Sequence, residues 1–120
     1  MATPRLEHST ALLVALRVVA CQYDAITERK FFGCPAFFVG PRMVACVYGD
    51  TIALKLPQLS ITALMETRGC THFQPYGRHP MLRWLALEAG SPAFASLEEL
   101  FEEAVSFAKE VEAHGSRGAQ

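Results

Sequence analysis

The chain has 120 residues, 51% of them apolar, and a formal net charge of −1. A chain this long buries roughly two-thirds of its unfolded surface, enough for one core without metal or disulfide staples, and the apolar content excludes a disordered protein. Charge is unevenly placed: residues 27–87 carry seven Lys/Arg against three acids, and residues 88–120 carry two against seven. A basic central region and an acidic C-terminal segment are predicted.

The apolar run Ala11–Ala20, followed by Cys21, resembles a lipoprotein cleavage region, but Arg17 interrupts it and the preceding segment has no net positive charge. The run is also too short to span a bilayer. A helix is predicted instead, capped by Thr3, with Pro4 at its first position and Glu7 in its early turns. Leu12, Leu13, Leu16, Val19 and Ala20 recur at helical spacing over a wide arc, which suits burial against a sheet and against a second copy.

The stretch Thr27–Leu56 organises the chain. Strands are predicted over Thr27–Phe32, Cys34–Val39, Met43–Tyr48 and Thr51–Leu56, separated by Gly33, Gly40-Pro41 and Gly49-Asp50. Links this short make the strands antiparallel, a meander. Met43–Tyr48 is apolar throughout, so both its faces should be covered. Ser60–Arg68 reads as a helix with Ile61, Leu64 and Met65 inward and Gly69 as its stop. Cys70–Phe73 reads as a short strand and Gln74-Pro75-Tyr76-Gly77 as a turn. Pro80–Leu87 fits strand or helix by pattern; its proline start and short length favour strand. Ser96 and Glu99 form a capping box for a last helix whose inner face is Leu97, Leu100, Phe101, Ala104, Phe107, Ala108 and Val111. Gly115 should end it. One domain over residues 1–115 and a disordered tail over 116–120 follow.

The fold class is therefore α+β: a two-layer antiparallel sheet, β-meander plus later strands, with flanking N-terminal, middle and C-terminal helices. Cys21, Cys34, Cys46 and Cys70 show no C-x-x-C spacing. With Gly40-Pro41 as a two-residue loop, Cys34 faces Val47 and Cys46 faces Pro35, which points the two thiols to opposite sides of the sheet. All four read as reduced, mostly buried thiols of a cytoplasmic protein.

No catalytic, cofactor-binding or metal-binding constellation emerges. His8, His72, His79 and His114 are scattered, and the Cys70-x-His72 pair lacks a third ligand. Cys34, after the Phe32-Gly33 turn, has no histidine placed to activate it. The glycines are isolated turn residues and form no phosphate loop. Arg29, Lys30, Phe31, Phe32, Arg42, Tyr48 and Lys55 could form a basic aromatic nucleic-acid face, though aromatics in strands commonly serve the core.

Arg29-Lys30-Phe31-Phe32-Gly33, Ala36-Phe37-Phe38-Val39, Arg42-Met43-Val44-Ala45-Cys46-Val47 and Ile52-Ala53-Leu54-Lys55-Leu56, followed by Phe73-Gln74-Pro75-Tyr76-Gly77 and Met81–Trp84, resemble the TfoX/Sxy N-terminal domain family over roughly residues 5–112. The resemblance implies a secretion-chaperone-like or YjbR-like two-layer domain, standing alone without the C-terminal domain of the competence regulators. It also implies a non-enzymatic regulatory or adaptor role by protein contact, as a homodimer with no cofactor and no membrane attachment. Arg29, Lys30, Phe32, Gly33, Phe38, Arg42, Lys55, Arg78 and Trp84 form the candidate interaction surface. Two alternatives stand beside it: nucleic-acid binding through Arg29, Lys30, Arg42 and Lys55, and a small-molecule pocket near Cys34, Arg78 and Trp84.

Overall fold

A computed structural model of the chain describes residues 9–31, 33–74 and 79–118, with side chains through Glu110. Four strands follow one another across short turns: β1 (Ile26–Phe31), β2 (Cys34–Val39), β3 (Arg42–Tyr48) and β4 (Thr51–Lys55). The turn at Gly33 needs a left-handed backbone (φ +82°), which glycine adopts without a Cβ clash. After β4 the chain passes through helix α2 (Gln58–Leu64) to β5 (Cys70–Phe73) and returns as β6 (Met81–Glu88). β6 inserts between β4 and β5, giving a six-stranded antiparallel sheet ordered β1-β2-β3-β4-β6-β5. The fold is α+β, and Met81–Glu88 is a strand, as its proline start and length favoured. Leu85 and Leu87 join the helix-side core while Trp84 and Ala86 join a second cluster, a two-sided burial that suits a central strand.

The β2–β3 register corrects the sequence reading. Val39 opposes Arg42 as expected, but Phe38 opposes Met43 while Phe37 opposes Ala45, so Val44 is an extra residue in β3. This bulge places Cys46 opposite Ala36, not Pro35. Cys34 lies two residues from Ala36 on β2, so Cys34 and Cys46 share one side of the sheet instead of facing opposite ways. The bulge lets the successive residues Val44 and Ala45 both enter the helix-side core with Val47.

Helix α1 (Thr10–Ala20) and helix α3 (Leu97–Gly118) cover one face of the sheet. Leu12, Leu13, Leu16, Val19 and Ala20 of α1 meet Leu100, Phe101, Ala104, Val105 and Ala108 of α3 in that core, and Tyr23 packs on Phe101 with ring centres 5.6 Å apart. Ser9, not Thr3, caps α1: its backbone is extended and its hydroxyl accepts from the Leu12 amide. Thr3, Pro4 and Glu7 lie outside the described residues. The Ser96–Glu99 capping box is also corrected. Ser91 caps a 3₁₀ turn (Pro92–Ser96) that feeds directly into α3, with Pro92 in its first turn. Ser96 is already helical there and has no cap to supply. Gly115 lies within α3, which runs to Gly118, so the expected tail is helical through that residue. Glycine inside a helix costs about 1 kcal/mol relative to alanine and does not by itself end it.

α2 starts two residues earlier than expected, directly after Pro57, and ends at Leu64. Its Ile61 is buried and Leu64 half-buried, but Met65 sits at the surface. On α3 the inner face includes Val105, and Phe107 is only half-buried. Pro75–Gly77 of the expected turn lie outside the described residues.

Candidate functional site

The sheet face away from the helices carries its own cluster: Ala36, Phe38, Cys46, Ala53, Phe73, Trp84 and Ala86, flanked by Met43 and Tyr48. Ala36 and Ala53 are fully buried because larger neighbours stand over these short side chains. Phe73 packs edge-on to Tyr48 at 5.2 Å and against Trp84 at 6.1 Å. Of the predicted surface residues, Phe38 and Trp84 are therefore only 7% exposed. Rings consumed by packing offer no faces on which bases could stack.

The predicted cations do not form one patch. Arg29 and Lys30 are successive residues of edge strand β1 and point to opposite sides of the sheet. The Arg29 guanidinium lies 4.0 Å over the Phe38 ring and donates to the Gly40 carbonyl at 3.4 Å. Lys30 is exposed. Gly33 forms the β1–β2 turn, and Phe32 and Arg78 lie outside the described residues. Arg42 and Lys55 do converge, lining a cleft with Met43, Ala104, Phe107 and Ala108. Lys55 has lost basicity, first through burial and then through the nearby charges of Arg42 and Arg83. Arg83 was missed in the sequence because Met-Leu-Arg-Trp gives no alternation to mark it.

Cys34 and Trp84 do not share a pocket. They belong to β2 and β6, three ladders apart, which is about 14 Å at ~4.8 Å per ladder. Burial, and then the neighbouring Cys34, push the Cys46 thiol up to about 12, so it stays protonated and unreactive at neutral pH. No disulfide joins the four cysteines. Among the described residues no three His, Cys, Asp or Glu side chains converge on a metal position, and no helix is long and apolar enough to cross a membrane.

A second surface lies along the sheet edge. β1 is paired on one side only among the described strands, and Thr27–Phe31 are all exposed. Beside it, α1 turns an apolar stripe outward: Ala11, Val14 and Val18, the last two 51% and 59% exposed. Arg17 joins the two elements, donating from Nε and Nη2 to the two Glu28 carboxylate oxygens at 2.9 and 2.7 Å. The sequence reading gave α1 an apolar arc wide enough for a second copy, but it did not single out Ala11, Val14 and Val18 as the outward part, because helical spacing alone does not show which side of a wide arc the sheet covers. No family model, curated protein or solved structure matches this chain.

Proposed function

We propose that this chain is a non-enzymatic protein-contact module that self-associates through the β1 edge and the outer stripe of α1. The observation that carries this reading is the adjacency of a strand edge that no other described strand covers and an exposed apolar helix stripe, tied together by the Arg17–Glu28 ion pair. An open edge is a template for another strand, and an apolar stripe gains by leaving water.

A second copy fits this surface by symmetry. Antiparallel pairing of β1 with itself about a two-fold axis through Arg29 keeps the helices of both copies on one side. Glu28 then stands opposite Lys30 of the other copy, and Thr27 opposite Phe31. Opposite charges directly across an antiparallel pair favour the pairing. The two Arg29 residues meet at the axis, where each guanidinium is already drawn back over its own Phe38 ring. In the same arrangement the two α1 stripes approach across the axis and bury Val14 and Val18.

The motif resemblance to TfoX/Sxy N-terminal domains supports a regulatory role for such a module. The undisulfided cysteines support a cytoplasmic setting. Sedimentation of the 120-residue chain tests the reading. Wild type is expected at twice the chain mass, and Val14→Glu with Val18→Glu at the single-chain mass with its circular dichroism unchanged. Wild type at the single-chain mass at every soluble concentration would overturn it.

A further inference from the structure

Two cations without a counter-charge stand on neighbouring strands at the Gly40-Pro41 end of the sheet. Arg42 opens β3, Lys55 closes β4, and both line a shallow cleft with Met43, Ala104, Phe107 and Ala108. Among the described residues no carboxylate pairs with either cation. Glu103, one turn before Phe107 on α3, is engaged by the Ser60 hydroxyl. Arg42 Nε is buried without a hydrogen-bond partner, although buried donors are normally satisfied. Lys55 shows the same crowding: burial first, and then the charges of Arg42 and Arg83, lower its basicity.

Size and polarity decide what can sit in the cleft. It has about 10 Å³ of room, space for one occupant the size of a water. A buried water makes about three hydrogen bonds and needs acceptors for its own hydrogens. The polar side chains here are both cations, which donate and cannot accept, and the other lining side chains are apolar. A water between them accepts from Arg42 and Lys55 and turns its hydrogens towards Met43 and Phe107. A small anion removes that mismatch, because it accepts from both cations and needs no acceptor itself. It also supplies the missing counter-charge. Carboxylates and phosphates exceed the room; a halide ion does not. Chloride and bromide shed their hydration more readily than fluoride, which suits a partly apolar wall.

We infer that the cleft between Arg42, Lys55 and α3 binds a single monatomic anion, chloride in a cellular setting, as the counter-ion of the two cations. A ligand that binds the folded chain and not the unfolded one stabilises it, so this site makes stability depend on the kind of anion as well as on ionic strength. None of the lining residues belongs to β1 or α1, so the assignment stands or falls independently of self-association.

Nuclear magnetic resonance of the full chain tests it, with sodium chloride exchanged for sodium gluconate at constant ionic strength. Gluconate carries the same charge and is too large for the cleft. Saturable broadening of the chloride signal is expected, reversed by bromide, together with saturable shifts of the Met43, Lys55 and Phe107 amides. Affinity for chloride should fall by about tenfold or more in Arg42→Gln and in Lys55→Gln, each of which removes one charged donor. Crystals of the wild-type chain soaked in bromide need no variant: an anomalous peak is expected between Arg42 and Lys55. Equal amide shifts in chloride and gluconate, undiminished chloride binding by a folded Lys55→Gln, or a cleft without bromide in the soaked crystals would overturn the assignment.

Discussion

Gly69 is the residue where backbone and packing constraints coincide. Its φ is +83°, and a Cβ placed there would lie 2.6 Å from Cβ and 3.1 Å from Cα of Ser91. Ser91 is itself buried and caps the turn leading into α3. Gly69→Ala is therefore expected to lower stability by about 1–3 kcal/mol in denaturant unfolding, because left-handed strain and a backbone clash add. A variant as stable as wild type would mean that the Gly69–Ser91 contact yields freely. The Cys46 thiol makes a second residue-scale prediction. Held near 12 by its surroundings and almost fully covered, it should resist maleimide in the native protein and react only after unfolding. Mass spectrometry of the labelled protein distinguishes these outcomes, and rapid native labelling at Cys46 would contradict its placement.

At the scale of elements, the link between α1 and β1 is electrostatic and depends on pH. Hydrogen bonds from Arg17 hold the Glu28 carboxyl below its ordinary range; burial opposes this and the Arg17 charge adds to it. A carboxylate with a lowered folded pKa contributes stability above its unfolded pKa, about 4.3, and loses it as pH falls through the folded value. Glu28→Gln should accordingly melt below wild type at pH 7 and converge with it well below pH 4. The pair is largely solvent-facing, so the difference should be small and shrink with added salt. A constant gap across that pH range would rule out titration of Glu28 as its source. Most elements were legible before this level of detail. β2 and β5 match their predicted bounds because glycines and prolines punctuate them. The bulge at Val44 was not legible: Met43–Tyr48 has no polar residue to show which side each position faces. The sequence pointed to Thr3 and Ser96 and not to the actual caps, Ser9 and Ser91, because local patterns do not reveal which turn a neighbouring strand pins. Here the Ser9 amide is held by the Gly49 carbonyl at 2.9 Å. Of the candidate surface, the proximity of Arg42 and Lys55 needed the sheet order, which no local pattern encodes.

For the whole molecule, the two faces of the sheet are finished differently. One is closed by α1, α2 and α3; the other is closed by its own rings over small residues. Among the described residues, the β1–α1 edge faces outward, and Arg42 and Lys55 line a shallow cleft beside the β2–β3 turn. Extension of a six-stranded sheet into a continuous twelve-stranded one across the β1 edge would put both copies' helices in one layer, consistent with the orientation of the α1 stripe. Amide hydrogen exchange followed as a function of protein concentration tests this most directly. Ile26–Phe31 and the α1 segment around Val14 and Val18 should gain protection as concentration rises, while the opposite edge, β5, stays unchanged. Exchange in β1 that is fast and independent of concentration, like that of an edge in water, would contradict self-association through this surface.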